Sequence, residues 1–121
     1  GKEAGIVLSP EISVDTIKPL LSLIDYVMVM TVNPGFAGQK YLSLVDEKID
    51  ELVEFRDKYN FKILIDGACS PEKIKILSLK GVQGFVLGTS ALFNKNKLPC
   101  ISFKIATFSI LHHYYYITAF C

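Results

Sequence analysis

The chain has 121 residues, half of them hydrophobic, and a formal net charge of +1. That is enough for one small domain with a packed core, and the near-neutral balance, with no basic stripe interleaved with aromatics, argues against nucleic acid or an acidic surface as a partner. The three cysteines, Cys69, Cys100 and Cys121, show no metal-binding spacing and read as free thiols of a reducing, cytoplasmic compartment.

The chain opens within Ala4-Gly5-Ile6-Val7-Leu8-Ser9-Pro10, whose apolar run predicts a strand at about 5–9. There is no initiating methionine and no signal pattern, so the chain is expected to be the rear portion of a longer polypeptide. Ser13, Ile17, Leu20, Leu21 and Ile24 recur at helical spacing and predict a helix over 13–24, with Pro19 requiring a kink or a late start.

Tyr26 to Val32 is uncharged and rich in β-branched residues, as expected of a strand buried on both faces. It leads into Val29-Met30-Thr31-Val32-Asn33-Pro34-Gly35-Phe36-Ala37-Gly38-Gln39. Pro34 cannot continue a sheet, and Gly35 and Gly38 can adopt backbone angles that other residues avoid. Successive amides in such a turn converge on a point and bind phosphate or carboxylate, and the helix behind adds its positive end.

That helix is predicted over 43–59, with Ser43 accepting from the Asp46 amide and with Leu42, Val45, Ile49, Leu52 and Val53 as its apolar stripe. A strand at 61–66 ends on Asp66, a helix over 71–79 follows from the Ser70 cap, Pro71 and Gly81, and a strand is expected at 84–88. Strand–helix alternation with short loops predicts parallel βαβ units. Four such units leave two open parallel edges.

All twelve acidic residues lie at or before Glu72. The stretch from Leu98 to Cys121 is rich in aromatic and β-branched residues, and it is nearly long enough to span a bilayer. Lys104, His112, His113 and three adjacent tyrosines argue against a membrane span, because each polar group at mid-helix costs about 2–3 kcal/mol. Residues 98–121 are therefore read as an atypical tail and residues 1–97 as the structured unit.

Four segments in order, Ala4–Pro10, Met30–Gln39, Ile65-Asp66-Gly67-Ala68-Cys69 and Val86–Phe93, resemble the ribulose-phosphate 3-epimerase family. The variants G-F-A-G-Q, D-G-A-C and G-T-S-A-L-F-N are nearer its D-allulose-6-phosphate 3-epimerase branch. The resemblance implies an α/β fold, a TIM (β/α)8 barrel of the ribulose-phosphate-binding type, of which this chain holds the C-terminal half, the fifth to eighth strands.

It also implies a metal-dependent isomerase of carbohydrate metabolism and the pentose phosphate pathway. Such an enzyme inverts C3 of D-ribulose 5-phosphate, giving D-xylulose 5-phosphate, or does the same to a hexulose 6-phosphate. Two carboxylates on opposite faces exchange a proton through a cis-enediolate, and one divalent metal ion (zinc, iron, manganese or cobalt) stabilises its charge. A parent homo-oligomer is expected.

Asp66 is the catalytic and metal-binding candidate, since the carboxyl ends of barrel strands carry the chemistry. Without the resemblance it reads equally well as a cap for the turn at Gly67. The resemblance places Met30 against the planar intermediate and Ser9 in the substrate pocket. The phosphate grip is expected from Gly35, Phe36, Ala37 and Gly38, from Gly67 and Ala68, and from Gly88, Thr89 and Ser90. Ala68 would be strained by about 1 kcal/mol if its φ is positive, and Cys69 reads as a small buried residue. His112 and His113 are adjacent and do not replace the family's histidine ligands. The alternatives are a truncated, catalytically inactive fragment and another phosphate-binding TIM-barrel enzyme.

Overall fold

The computed structural model describes residues 1–33, 35 and 38–87, and the backbone of 102–104 and 117–120. Strands β1 (Gly5–Leu8), β2 (Tyr26–Met30), β3 (Lys62–Asp66) and β4 (Gly84–Leu87) alternate with helices α1 (Asp46–Tyr59) and α2 (Pro71–Lys80). The four strands lie side by side in chain order and all run parallel. This is the βαβ arrangement that the apolar runs predict.

Two further strands, β5 (Ser102–Lys104) and β6 (Ile117–Phe120), extend the sheet beyond β4. β6 pairs antiparallel with β4 and β5 antiparallel with β6. The expectation of two open parallel edges is thus corrected. The β4 edge is covered, and among the described strands β1 is the open parallel edge while β5 ends the sheet on the antiparallel side. The physical source is the β-branched and aromatic content of the tail.

The sheet has two different faces. Leu8, Val27, Val29, Ile63, Ile65, Phe85 and Leu87 point toward the helices and join Val45, Ile49, Leu52, Ile74 and Leu77 in the main core. Burying each such side chain is worth about 1.5–3 kcal/mol, so this face fixes the register of strands and helices. The alternate residues Met28, Leu64 and Val86, with Tyr26 against them, form a separate apolar cluster on the face opposite α1 and α2. Asp66 belongs to this second face, because side chains alternate along a strand.

The helix expected over 13–24 is replaced by two 3₁₀ turns, Val14–Thr16 and Lys18–Leu20. Pro19 has no amide to donate and its ring would strike a carbonyl one turn back, so a continuous α-helix cannot form. Ser13 still caps the first turn by accepting from the Asp15 amide at 3.2 Å. The Ser43 cap is also corrected. Ser43–Val45 is a 3₁₀ turn, and the Asp46 amide donates to the Ser43 carbonyl rather than to its hydroxyl. The Ser70 cap forms as expected, its hydroxyl accepting from Lys73 N at 3.2 Å.

α2 ends in a paired closure, with Gly81 N donating to Ser78 O and Val82 N to Leu77 O, both at 3.1 Å. Gly81 has a φ of +109°, the left-handed angle that such an ending requires. Arg56 of α1 donates to the Gly81 carbonyl at 2.5 Å and ties the two helix ends together.

Candidate active site

β2 and β3 end together, with Met30 opposite Asp66 in the ladder. Leu8 is opposite Val29, so Ser9 follows at the same level as Met30. The carboxyl ends of three adjacent strands therefore gather Ser9, Met30 and Asp66 at one edge, and all three are half-buried. The loop carrying Ser9 is organised by Lys48 of α1, whose ammonium donates to the carbonyls of Pro10, Ile12 (2.6 Å) and Ser9 (3.3 Å).

Burial raises the Asp66 carboxyl above the usual carboxylate range, since desolvation penalises the charged form. Among the described residues none donates to its carboxylate. The Asp66 backbone carbonyl, by contrast, accepts from the Thr31 amide at 2.9 Å. Thr31 is a fully buried polar residue. Its hydroxyl faces the Gly67 carbonyl and, at 3.2 Å, that of Asp66. Leu42 N donates back to Thr31 O at 2.8 Å, so this residue clasps the loop after β2 to the loop after β3. The sequence reading did not single Thr31 out. Its signal was a lone hydroxyl closing an uncharged run, which must find a partner when buried.

Gly67 has a φ of +125°, and a Cβ there would lie 2.7 Å from Val32 Cγ2 and 3.0 Å from the Thr31 hydroxyl oxygen. Only glycine satisfies both the angle and the close approach. Ala68 follows with a φ of +46°, so the expected strain at this alanine is present. The Gly67 carbonyl is turned toward Thr31, which directs the Ala68 amide the opposite way across a trans peptide. The amides of Ala68 and Cys69 donate to no described residue. Cys69 is buried as expected, and desolvation pushes its thiol up to about 12.

In the loop between β2 and α1, Gly35 and Gly38 have φ of +142° and +83°. Gln39 Nε2 donates to the Asn33 carbonyl at 2.5 Å. Phe36, Ala37, Gly88, Thr89 and Ser90, expected to contribute to the grip, lie outside the described residues, as do His112 and His113.

A second polar cluster, also unanticipated, joins the same two loops. The Tyr41 hydroxyl donates to Asp46 Oδ1 at 2.5 Å, and Lys73 Nζ donates to Asp46 Oδ2 at 2.9 Å. The Lys73 ammonium also lies 4.3 Å from the centre of the Tyr41 ring. Burial works to raise the Asp46 carboxyl, but the Tyr41 hydroxyl and Lys73 outweigh it and hold the group below its ordinary value. The Tyr41 phenol is raised by burial and by the Asp46 carboxylate. The sequence clue was a cation in the first turn of α2, where the helix dipole disfavours it.

A divalent cation needs several oxygen or nitrogen ligands. The described residues contain no group of three or more His, Cys, Asp or Glu side chains able to supply them. Asp66 offers one carboxylate at the right strand end. An open cleft of about 570 Å³ lies instead at the amino ends of β3 and β4, lined by Arg56, Asp57, Asn60, Ser78, Gly81 and Gln83. It adjoins none of the residues gathered around Asp66. No helix among the described residues is long and apolar enough to cross a membrane.

A sequence profile of the ribulose-phosphate 3 epimerase family matches residues 1–93. The curated ribulose-phosphate 3-epimerase of Helicobacter pylori is 38% identical over 99 residues, covering 80% of this chain and 46% of that protein. The one from Aquifex aeolicus is 35% identical over 107 residues, covering 87% and 48%. The one from Bacillus subtilis is 33% identical over 105 residues, covering 84% and 48%. The chain spans about half the length of the curated relatives it matches.

Proposed function

The chain belongs to the ribulose-phosphate 3-epimerase family, and from that premise we propose that it is the part of a ketose-phosphate 3-epimerase barrel that supplies one proton-transferring carboxylate and the phosphate cradle. The observation that carries this reading is Asp66. Its carboxyl is half-buried at a strand tip, raised by desolvation, free of described hydrogen-bond donors, and set beside Met30 and close in sequence to the amides of Ala68 and Cys69, which donate to no described residue.

A carboxyl raised toward neutrality exchanges protons more readily at working pH. Asp66 would take the C3 proton on one face of a ketose phosphate and return it, while a second carboxylate from the remaining strands of the parent serves the opposite face. Met30 would lie against the planar intermediate and exclude water. The amides of Gly67, Ala68 and Cys69, with Gly35 and Gly38 across the loop, would receive the phosphate. A divalent ion bound by Asp66 together with ligands from the rest of the parent would stabilise charge on the substrate oxygens. In this reading residues 1–97 are the fifth to eighth barrel units and 98–121 a tail outside the family pattern.

The test is a coupled assay of D-xylulose 5-phosphate formation by the full-length parent. Asp66→Asn is expected to abolish nearly all turnover, and a variant with unchanged rates overturns the assignment. A second reading, a catalytically inactive piece, is favoured by one observation. β6 lies antiparallel on the outer edge of β4, where a closed parallel barrel must put its next strand. Refolding the 121-residue chain together with the missing part of the parent barrel and assaying the mixture separates the two readings, restored turnover favouring the first and its absence the inactive piece.

A further inference from the structure

We propose that Tyr41, Asp46 and Lys73 form a strap that holds the described end of the loop at Gly38 and the Gly67–Cys69 loop at a fixed separation, so that both address one phosphate group. The proposal rests on the cradle reading above and adds three positioning residues to it.

Each member of the cluster touches the other two. Tyr41 closes the loop that carries Gly38. Asp46 is the first residue of α1, and Lys73 lies in the first turn of α2, four residues past Cys69. The two limbs of the cradle are therefore fastened where they run into their helices. Thr31 fastens them at the other side, where they leave the strands. A loop fixed at both ends loses little further entropy when an anion binds, which is the physical gain from pre-organisation.

Lys73 could be mistaken for a phosphate ligand in its own right, since it stands near the open amides. Its ammonium is engaged twice, by the Asp46 carboxylate and by the Tyr41 ring face. The Asp46 and Lys73 side chains are 29% and 28% exposed, so neither is loosely solvated. A cation at the positive end of α2 opposes the helix dipole, and the Asp46 carboxylate supplies the compensating charge. The geometry thus assigns Lys73 to the strap and leaves the anion to the backbone.

The 121-residue chain is titrated with inorganic phosphate while the amides of Gly38, Gly67 and Ala68 are followed by NMR. Hydrogen exchange of the same amides is measured without phosphate. Asp46→Asn and Lys73→Met are each expected to weaken phosphate binding roughly tenfold and to speed exchange in both loops together. The double variant should be no worse than either single one, since both remove the same link. Lys73→Arg, which keeps the charge, should restore wild-type behaviour. Unchanged exchange in both single variants overturns the strap. So does tighter phosphate binding in Asp46→Asn with loss in Lys73→Met, which would make Lys73 a ligand. If the unmodified chain binds no phosphate, the cradle reading fails, and the exchange measurement still decides whether the strap exists.

Discussion

Asp66 and Asp46 belong to neighbouring regions of the molecule and meet opposite environments. Asp46 sits between α1, α2 and the loop after β2, with a hydroxyl and an ammonium on its two oxygens. Asp66 stands on the sheet face opposite α1 and α2, with no described donor on its carboxylate and its carboxyl raised by burial. The first is spent on holding the fold, and the second is buried without a described partner, at a cost to the fold. The difference teaches that a carboxylate's role is read from what satisfies it, because an unsatisfied, desolvated charge survives only where something else needs it.

The largest effect should come from removing the poised group. On the epimerase reading proposed above, Asp66→Asn in the full-length parent is expected to lower turnover by on the order of a thousandfold. The same change should stabilise the fold at neutral pH. A carboxyl whose folded pKa is raised binds more protons folded than unfolded, so its contribution is most favourable in acid and is lost as pH rises through the folded value. Thermal melts of the two proteins should therefore differ at pH 7 and converge below about pH 4. A destabilised Asp66→Asn would break the contrast.

The loop that carries Asp66 is the next target. Gly67→Ala meets both the positive φ and the Val32 side chain and should cost about 2–3 kcal/mol in urea unfolding. Asp46→Asn should cost about 1 kcal/mol at neutral pH. Its sign is opposite to that of Asp66→Asn. A carboxyl lowered in the folded state stabilises above its ordinary value, and that stability is lost as pH falls through the lowered one. The smallest change expected is a gain. Ala68→Gly relieves a left-handed alanine, worth about 1–2 kcal/mol, and adds unfolded-chain entropy costing about 0.4–1 kcal/mol. A net stabilisation of roughly 0.5–1 kcal/mol in the same unfolding assay would sharpen the view that this loop is strained.

Much of the scaffold was legible in the residues. The apolar runs marked β2, β3 and β4, and Ser70, Pro71 and Gly81 marked both ends of α2. The stripe from Val45 to Leu52 identified the buried side of α1. Each of these is a local rule, in which the deciding neighbours lie within a turn or along one strand. Pro19 was the exception, because the apolar spacing around it argued for a helix that its ring forbids. In the candidate site, Asp66, Met30 and the positive φ at Ala68 could be anticipated from strand ends and glycine-like positions. Thr31, Tyr41 and Lys73 could not, since their partners lie 36, 5 and 27 residues away.

The sequence by itself determined which segments become strands and helices, which faces are apolar and which acid ends a strand, because those follow from periodicity, caps and burial within short windows. Only the tertiary structure decided that Met30 stands beside Asp66, that one buried threonine joins two loops, and that the tail covers the β4 edge. These depend on strand register and on pairings between distant segments, where the contact energy is repaid only after the chain has closed its loops.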